Sequence, residues 1–276
     1  RWEADRYEVV VFHRGSLPAS QQALVATLRK TGQDGLANLE VTAVDLGGAP
    51  PAEMRALWES QSHADLPAVV VRYPGSLNIA EPAWTGPLAA ETVRALVDSP
   101  ARRELVRRLA AGDSAVWLLL ECGDPERDAA AARLLDAESR RLETTLKLPE
   151  PAPGDPAIGA DLPLKIAFST LRIAHDDPAE RVLLGLLTPA HAEALPPGPR
   201  MFAVMGRGRA LPPLVGEDLG AERLAFVAEF ITGACSCEAK LLNPGFDLLL
   251  AADWNAVFDR SVIPVPELPP LTGLSQ

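Results

Sequence analysis

The sequence predicts an α/β protein of two tandem units, each a small mixed sheet flanked by helices. Three features of its 276 residues carry that expectation. Strand-like and helix-like stretches alternate from residue 7 to residue 233. The order met in the first half recurs in the second. Each half also closes on proline, strand, turn, strand and helix. A single larger doubly wound sheet would alternate in the same way and is the alternative; the paired endings favour the tandem arrangement.

In the first half, YEVVVFHRG (7–15) is rich in β-branched residues and ends in a turn, as a strand does. SQQALVATLRKTG (20–32) sets Leu24, Val25 and Leu28 at helical spacing and stops at Gly32. LEVTAVDL (39–46) alternates as a strand, and PPAEMRALWES (50–60) opens on proline, where a helix has no use for the missing N–H. LPAVVVRYP (66–74) is a continuous apolar strand introduced by Pro67. PAWTGPL (82–88) is its short partner, and AAETVRALVDSP (89–100) the closing helix. ARRELVRRLAAGD (101–113) is a bridging helix.

The second half repeats the series. SAVWLLLECG (114–123) is a strand ending in a turn, and DPERDAAAARLLDAESRRLETTLKL (124–148) a long helix. Asp124 caps that helix, Pro125 takes its first turn, and Glu126 and Asp128 complement its dipole. PEPAPGDPAIGADLP (149–163) is a proline-rich excursion without core residues. LKIAFSTLRIA (164–174) returns as a strand and DPAERVLLGLL (177–187) as a helix. GPRMFAVMGRGRALPPLVG (198–216) reads as proline, strand, Gly-rich turn and strand. Its MGRGR (205–209) lacks the spacing of a phosphate loop, so it is a hairpin turn. GAERLAFVAEFITG (220–233) closes the unit, and Phe246, Leu248, Leu249 and Trp254 are expected to pack back onto it. The units span residues 1–104 and 105–262, followed by a proline-rich tail, 263–276.

This order, β-α-β-α-β-β-α with a proline just before the third strand, resembles the thioredoxin fold. In that family the proline is usually cis and borders the active site. The resemblance therefore implies two tandem thioredoxin-like domains, with Pro67 and Pro199 both cis and His13 and Cys122 on the loops that correspond to active sites. It covers about residues 5 to 234 and rests on element order and prolines, with no catalytic motif in support.

A thiol oxidoreductase of the family carries Cys-x-x-Cys between the first strand and first helix, where the helix N-terminus lowers the thiol pKa. The first unit reads FHRGSLPAS there, without cysteine; His13 stands nearby as a turn residue or a lone functional group. The second reads ECGDPERD: Cys122 occupies the nucleophile's neighbourhood, and Pro125 fills the resolving position. A single thiol can form mixed disulfides or a sulfenic acid, or serve as a small packing residue. Classical disulfide exchange is not expected of either unit.

The other two of three cysteines, Cys235 and Cys237, follow Gly233 in ITGACSC. Side chains two apart on an α-helix point about 200° apart, so a working Cys-x-Cys must lie in a turn or extended segment. There the sulfurs can converge on Cu(I) or Zn(II), close a strained redox disulfide, or simply pack. Zinc wants further donors, for which Glu238, Asp247 and Asp253 are the neighbours in sequence. On the implied fold, the helix before the pair carries it ~20 Å from the Cys122 end of the domain, which excludes a shared site.

Composition narrows the partners. Hydrophobic residues reach 47%, enough for packed cores. The net charge of -11 argues against a nucleic-acid face. No stretch approaches the ~20 apolar residues of a transmembrane helix. The chain opens RWEADRYEVV, without Met or an apolar leader; a cleaved signal peptide or trimming would each give that start. The expected location is periplasmic or otherwise extracytoplasmic, with the cytoplasm as the alternative. The function expected is a non-catalytic thioredoxin-like binding or adaptor module for a protein or peptide, without a cofactor. The rival is copper, zinc or redox handling through Cys235 and Cys237.

Overall fold

A computed structural model describes residues 3–61, 65–148, 165–188, 195–233 and 244–254. Two separate mixed sheets, of four and six strands, are flanked by helices, which rules out one continuous sheet. The first half comprises β1 (Tyr7–His13), α1 (Ala19–Gln33), β2 (Leu39–Asp45), α2 (Ala52–Glu59), β3 (Ala68–Arg72), β4 (Pro82–Pro87) and α3 (Ala90–Val97). The bridging helix is α4 (Pro100–Ala110). Then follow β5 (Ala115–Leu120), α5 (Pro125–Thr145), β6 (Phe168–Ile173), α6 (Arg181–Leu187), β7 (Arg200–Met205), β8 (Arg209–Ala210), β9 (Leu214–Val215), α7 (Ala221–Thr232) and β10 (Phe246–Asp247).

The sheets share a plan. In the order β2-β1-β3-β4, β1 runs parallel to β2 and antiparallel to β3. In β10-β8-β7-β5-β6, β5 is likewise parallel to β6 and antiparallel to β7. The second sheet has two strands more than the first because Pro212 and Pro213, which cannot donate to a ladder, divide its last strand into β8 and β9, and because β10 adds to β8. MGRGR is the hairpin turn between β7 and β8, with Met205 opposite Arg209.

Continuous apolar strands become doubly covered strands. Val9 and Val11 of β1 face one core with α1 and α3; Val10 and Phe12 face another, beneath Met54, Leu57 and Trp58 of α2. Trp117 and Leu119 face α5 and α7, while Val116 and Leu118 meet α4 and α6. Full burial of each such side chain contributes roughly 1.5–3 kcal/mol relative to exposure. Ser99 begins α4 by accepting from the Arg102 amide, and Asp124 begins α5 by accepting from the Glu126 and Arg127 amides. Helix α6 starts at Arg181, later than the sequence pattern proposes, because residues 174–180 form turns in which the Asp177 carboxylate accepts from Ala179 N.

The halves interlock. Val182 and Leu186 of α6 enter the first sheet's core, whereas Leu183 and Leu187 enter the second's. The Tyr73 hydroxyl donates to the Gly185 and Leu186 carbonyls. Segment 246–254 also divides itself: Phe246, Leu248 and Trp254 pack on the second sheet as expected, but Leu249 belongs to the first sheet's core. The Asp247 carboxylate accepts from Asp5 N and Arg209, and its carbonyl from the Tyr7 hydroxyl. Arg102, 2% exposed, donates to Ser99 Oγ and to the Ala95, Leu96 and Leu249 carbonyls; burial lowers its pKa to about 10. The Glu180 carboxylate accepts from the Ala101 amide at the start of α4. Among the described residues, no helix is long and apolar enough to cross a membrane.

Candidate functional site

The loops that leave β1 and β5 are built alike. The ladder that pairs Phe12 with Ala68 brings His13 level with Pro67; the one that pairs Leu120 with Arg200 brings Glu121 level with Pro199. Counting from these levels, His13-Arg14-Gly15 corresponds to Glu121-Cys122-Gly123. Both glycines have a left-handed backbone, φ +68° at Gly15 and +84° at Gly123. Both donate their amide to an aspartate: Gly15 N to Asp45 Oδ1 at 2.9 Å, Gly123 N to Asp128 Oδ2 at 3.0 Å.

In the first loop, His13 donates from Nδ1 to the Gly15 carbonyl at 2.7 Å, since a carbonyl can only accept. Asp45, opposite His13 in the parallel ladder, also accepts from Gly47 N at 2.8 Å. The Gly15 and Gly47 amides hold its carboxyl below the usual carboxylate range. Leu66–Pro67 is cis, in line with expectation, and the Pro67 carbonyl accepts from Leu88 N.

In the second loop, Asp128 is buried and accepts from Cys122 N at 2.9 Å as well as from Gly123 N. A carboxylate in the first turn of α5 looks in the sequence like a partner for the helix dipole; here it ties the preceding loop to the helix. Cys122 is a partly exposed free thiol. Burial raises its pKa; the Asp124 amide pulls the other way, but hydrogen bonding and charge from Asp128 reinforce the rise. A thiol so placed keeps its proton, whereas a nucleophilic cysteine is a thiolate near positive charge.

The loop before β7 lies against the same helix start. Arg127 donates to the Pro197 carbonyl at 2.6 Å, and its guanidinium lies so close to Gly198 that an added Cβ would fall 2.5 Å from Nη2. Gly198–Pro199 is trans, which corrects the expected cis bond. Glycine at 198 makes room for the Arg127 guanidinium, which reaches the Pro197 carbonyl from the start of α5. His175 lies over Gly123, where an added Cβ would be 2.6 Å from Cε1.

The structure thus sets His13 level with Pro67, whereas Glu121, not Cys122, is level with Pro199 and Cys122 follows one residue on. Sequence reasoning missed Asp45, Arg127 and His175, and gave Asp128 to the helix dipole alone. The available signal was an aspartate within reach of a loop glycine in each unit, legible only once the units are aligned. Cys235 and Cys237 lie outside the described residues. Among the described residues, no three His, Cys, Asp or Glu side chains form a group able to hold a metal ion. Chemically, the loops offer backbone groups, an imidazole and a protonated thiol, without a second sulfur on either loop. No protein-family model matches the chain, and no curated protein matches it.

Proposed function

We propose that the chain is a tandem thioredoxin-like protein of the cell envelope that binds a protein or peptide and does not exchange disulfides. One observation carries the reading: each loop that corresponds to an active site is closed by an aspartate on its glycine amide, and the only sulfur on either loop is a thiol of raised pKa. Exchange needs a thiolate and a resolving partner. The β-α-β-α-β-β-α order of β1 to α3, with a cis proline immediately before β3, supports the family assignment. The net charge of -11 favours a polypeptide partner over nucleic acid.

An insulin-reduction and disulfide-isomerase assay tests the proposal, with background rates expected. Turnover that persists in Cys235→Ser/Cys237→Ser and is lost in Cys122→Ser would overturn it in favour of a one-thiol enzyme. Elemental analysis with a free-thiol count addresses the metal and redox rival: stoichiometric copper or zinc, or a reversible two-electron couple, would replace binding with thiol chemistry.

A further inference from the structure

The edge strands of the two sheets are finished differently. The bonds Tyr7 N to Asn38 O and Leu46 N to His13 O fix the phase of the parallel β1–β2 ladder. In that phase the even residues of β2 bond to β1, and the amide and carbonyl groups of Val41 and Ala43 point away from the sheet. The same reasoning applied to Glu121 N to Ile173 O turns Phe168 and Thr170 of β6 outward. On β6 two of these four outward groups are capped: Phe168 N donates to Glu143 Oε1 at 2.7 Å, and the Thr170 carbonyl accepts from Arg108 at 2.8 Å. Side chains thereby stand in for a neighbouring strand, a common defence of a sheet edge. No described residue caps Val41 or Ala43.

Beside this open edge runs a groove of about 520 Å³ between β2 and α1. Its walls are mostly small or apolar, including Leu17, Ala19, Ala23, Ala26 and Ala43, with Gln22 polar and Arg29 charged. Arg29 has no ion-pair partner among the described residues, although acidic residues outnumber basic ones 37 to 26. An unpaired cation in an apolar groove beside unpaired strand groups matches an extended peptide with an acidic side chain.

We propose that the β2 edge takes an extended segment of a partner protein as an added strand. The backbone of that segment pairs with Val41 and Ala43, its side chains enter the groove, and one carboxylate meets Arg29. This names a surface for the binding reading above and rests on it only for the partner being a polypeptide.

The test uses the full chain, isotope-labelled, and a library of defined, end-capped octapeptides that alternate apolar residues with Glu, Lys or Ser. Peptides bearing Glu should bind, and exchange of the Val41 and Ala43 amides should slow about ten-fold or more at saturation. N-methylation of alternate amides on the pairing side of a binding peptide should abolish binding, without any change to the protein. Arg29→Glu should move the preference from Glu to Lys peptides. The edge proposal falls if no octapeptide binds at millimolar concentration, or if N-methylation makes no difference. It also falls if bound peptide leaves Val41 and Ala43 exchange unchanged and shifts the Gly15 and Gly123 amides, an outcome that keeps the binding reading and moves its site to the loops.

Discussion

Asn38 Oδ1 accepts a hydrogen bond from the Leu250 amide at 3.1 Å, across 212 positions of sequence. The same carboxamide donates to the Leu248 and Asp5 carbonyls, and the neighbouring Ala37 bridges to Ala251. One side chain therefore holds segment 248–251 against the first sheet. Asn38→Ala leaves part-buried backbone groups without partners and should cost roughly 2–3 kcal/mol. Asn38→Asp, which keeps the acceptor but turns a carboxylate oxygen onto the Leu248 and Asp5 carbonyls, should cost at least as much. Urea unfolding midpoints check the ranking; an alanine variant as stable as the parent would show that this strap contributes nothing.

Gly15 and Gly123 hold equivalent places but meet different surroundings. A methyl group at Gly15 has open space, so Gly15→Ala should cost only the backbone strain of a positive φ, about 1–2 kcal/mol. At Gly123 the methyl also meets the half-exposed His175 ring, which must turn aside, so Gly123→Ala should cost somewhat more. His175→Ala in the same chain should return the penalty to the Gly15 value. A double-mutant cycle by thermal unfolding measures that coupling, and additivity would refute the contact.

Asp128 holds the loop conformation and adds to the rise that burial gives the Cys122 thiol pKa. Asp128→Asn leaves an NH2 group facing one of two loop amides and should destabilise by roughly 1–3 kcal/mol. It also removes the negative charge that raises the thiol pKa, so alkylation of Cys122 should quicken and its pH midpoint fall. Mass-spectrometric mapping of iodoacetamide labelling, in Cys235→Ser/Cys237→Ser, reads this directly. An unchanged midpoint would mean that the carboxylate does not act on the thiol.

The first loop should loosen in acid. Because the Gly15 and Gly47 amides depress the folded pKa of Asp45, its contribution is complete above the unfolded value and is lost as pH falls through the folded one. The window lies below about pH 4. A carbon-detected titration should place the Asp45 midpoint below the ordinary aspartate range, and Asp45→Asn should flatten that part of the stability profile. A midpoint at the ordinary value would remove the amide clamp from the account.

Strand runs such as YEVVVFH and AVWLLL were legible because a short continuous run of β-branched and aliphatic residues between turn signals suits a strand buried on both faces. The caps Ser99 and Asp124 act through neighbouring amides and each precedes a proline, Pro100 and Pro125, but only Asp124 is also followed by acidic residues in the first turn. What escaped was which surface an apolar residue meets. RVLLGLL announces a helix but not that its residues serve two cores, and DLLL does not declare that Leu249 crosses to the other half. Asp128 was visible as an acid near a helix start, a position that serves dipole and loop alike. The backbone phase that leaves Val41 and Ala43 facing outward depends on pairing with a strand more than 25 residues away, beyond any local pattern.

The interlocked cores bear on how the chain is made. Val182, Leu186 and Leu249 complete the core that Val9 and Val11 begin, so the N-terminal sheet emerges from the ribosome with an apolar face still waiting for residues far downstream. Closure of so distant a contact carries a loop-entropy cost before any burial compensates it. A truncated polypeptide ending before residue 182 would present the same face permanently, so aggregation, rather than an autonomous first domain, is the fate this architecture assigns to it.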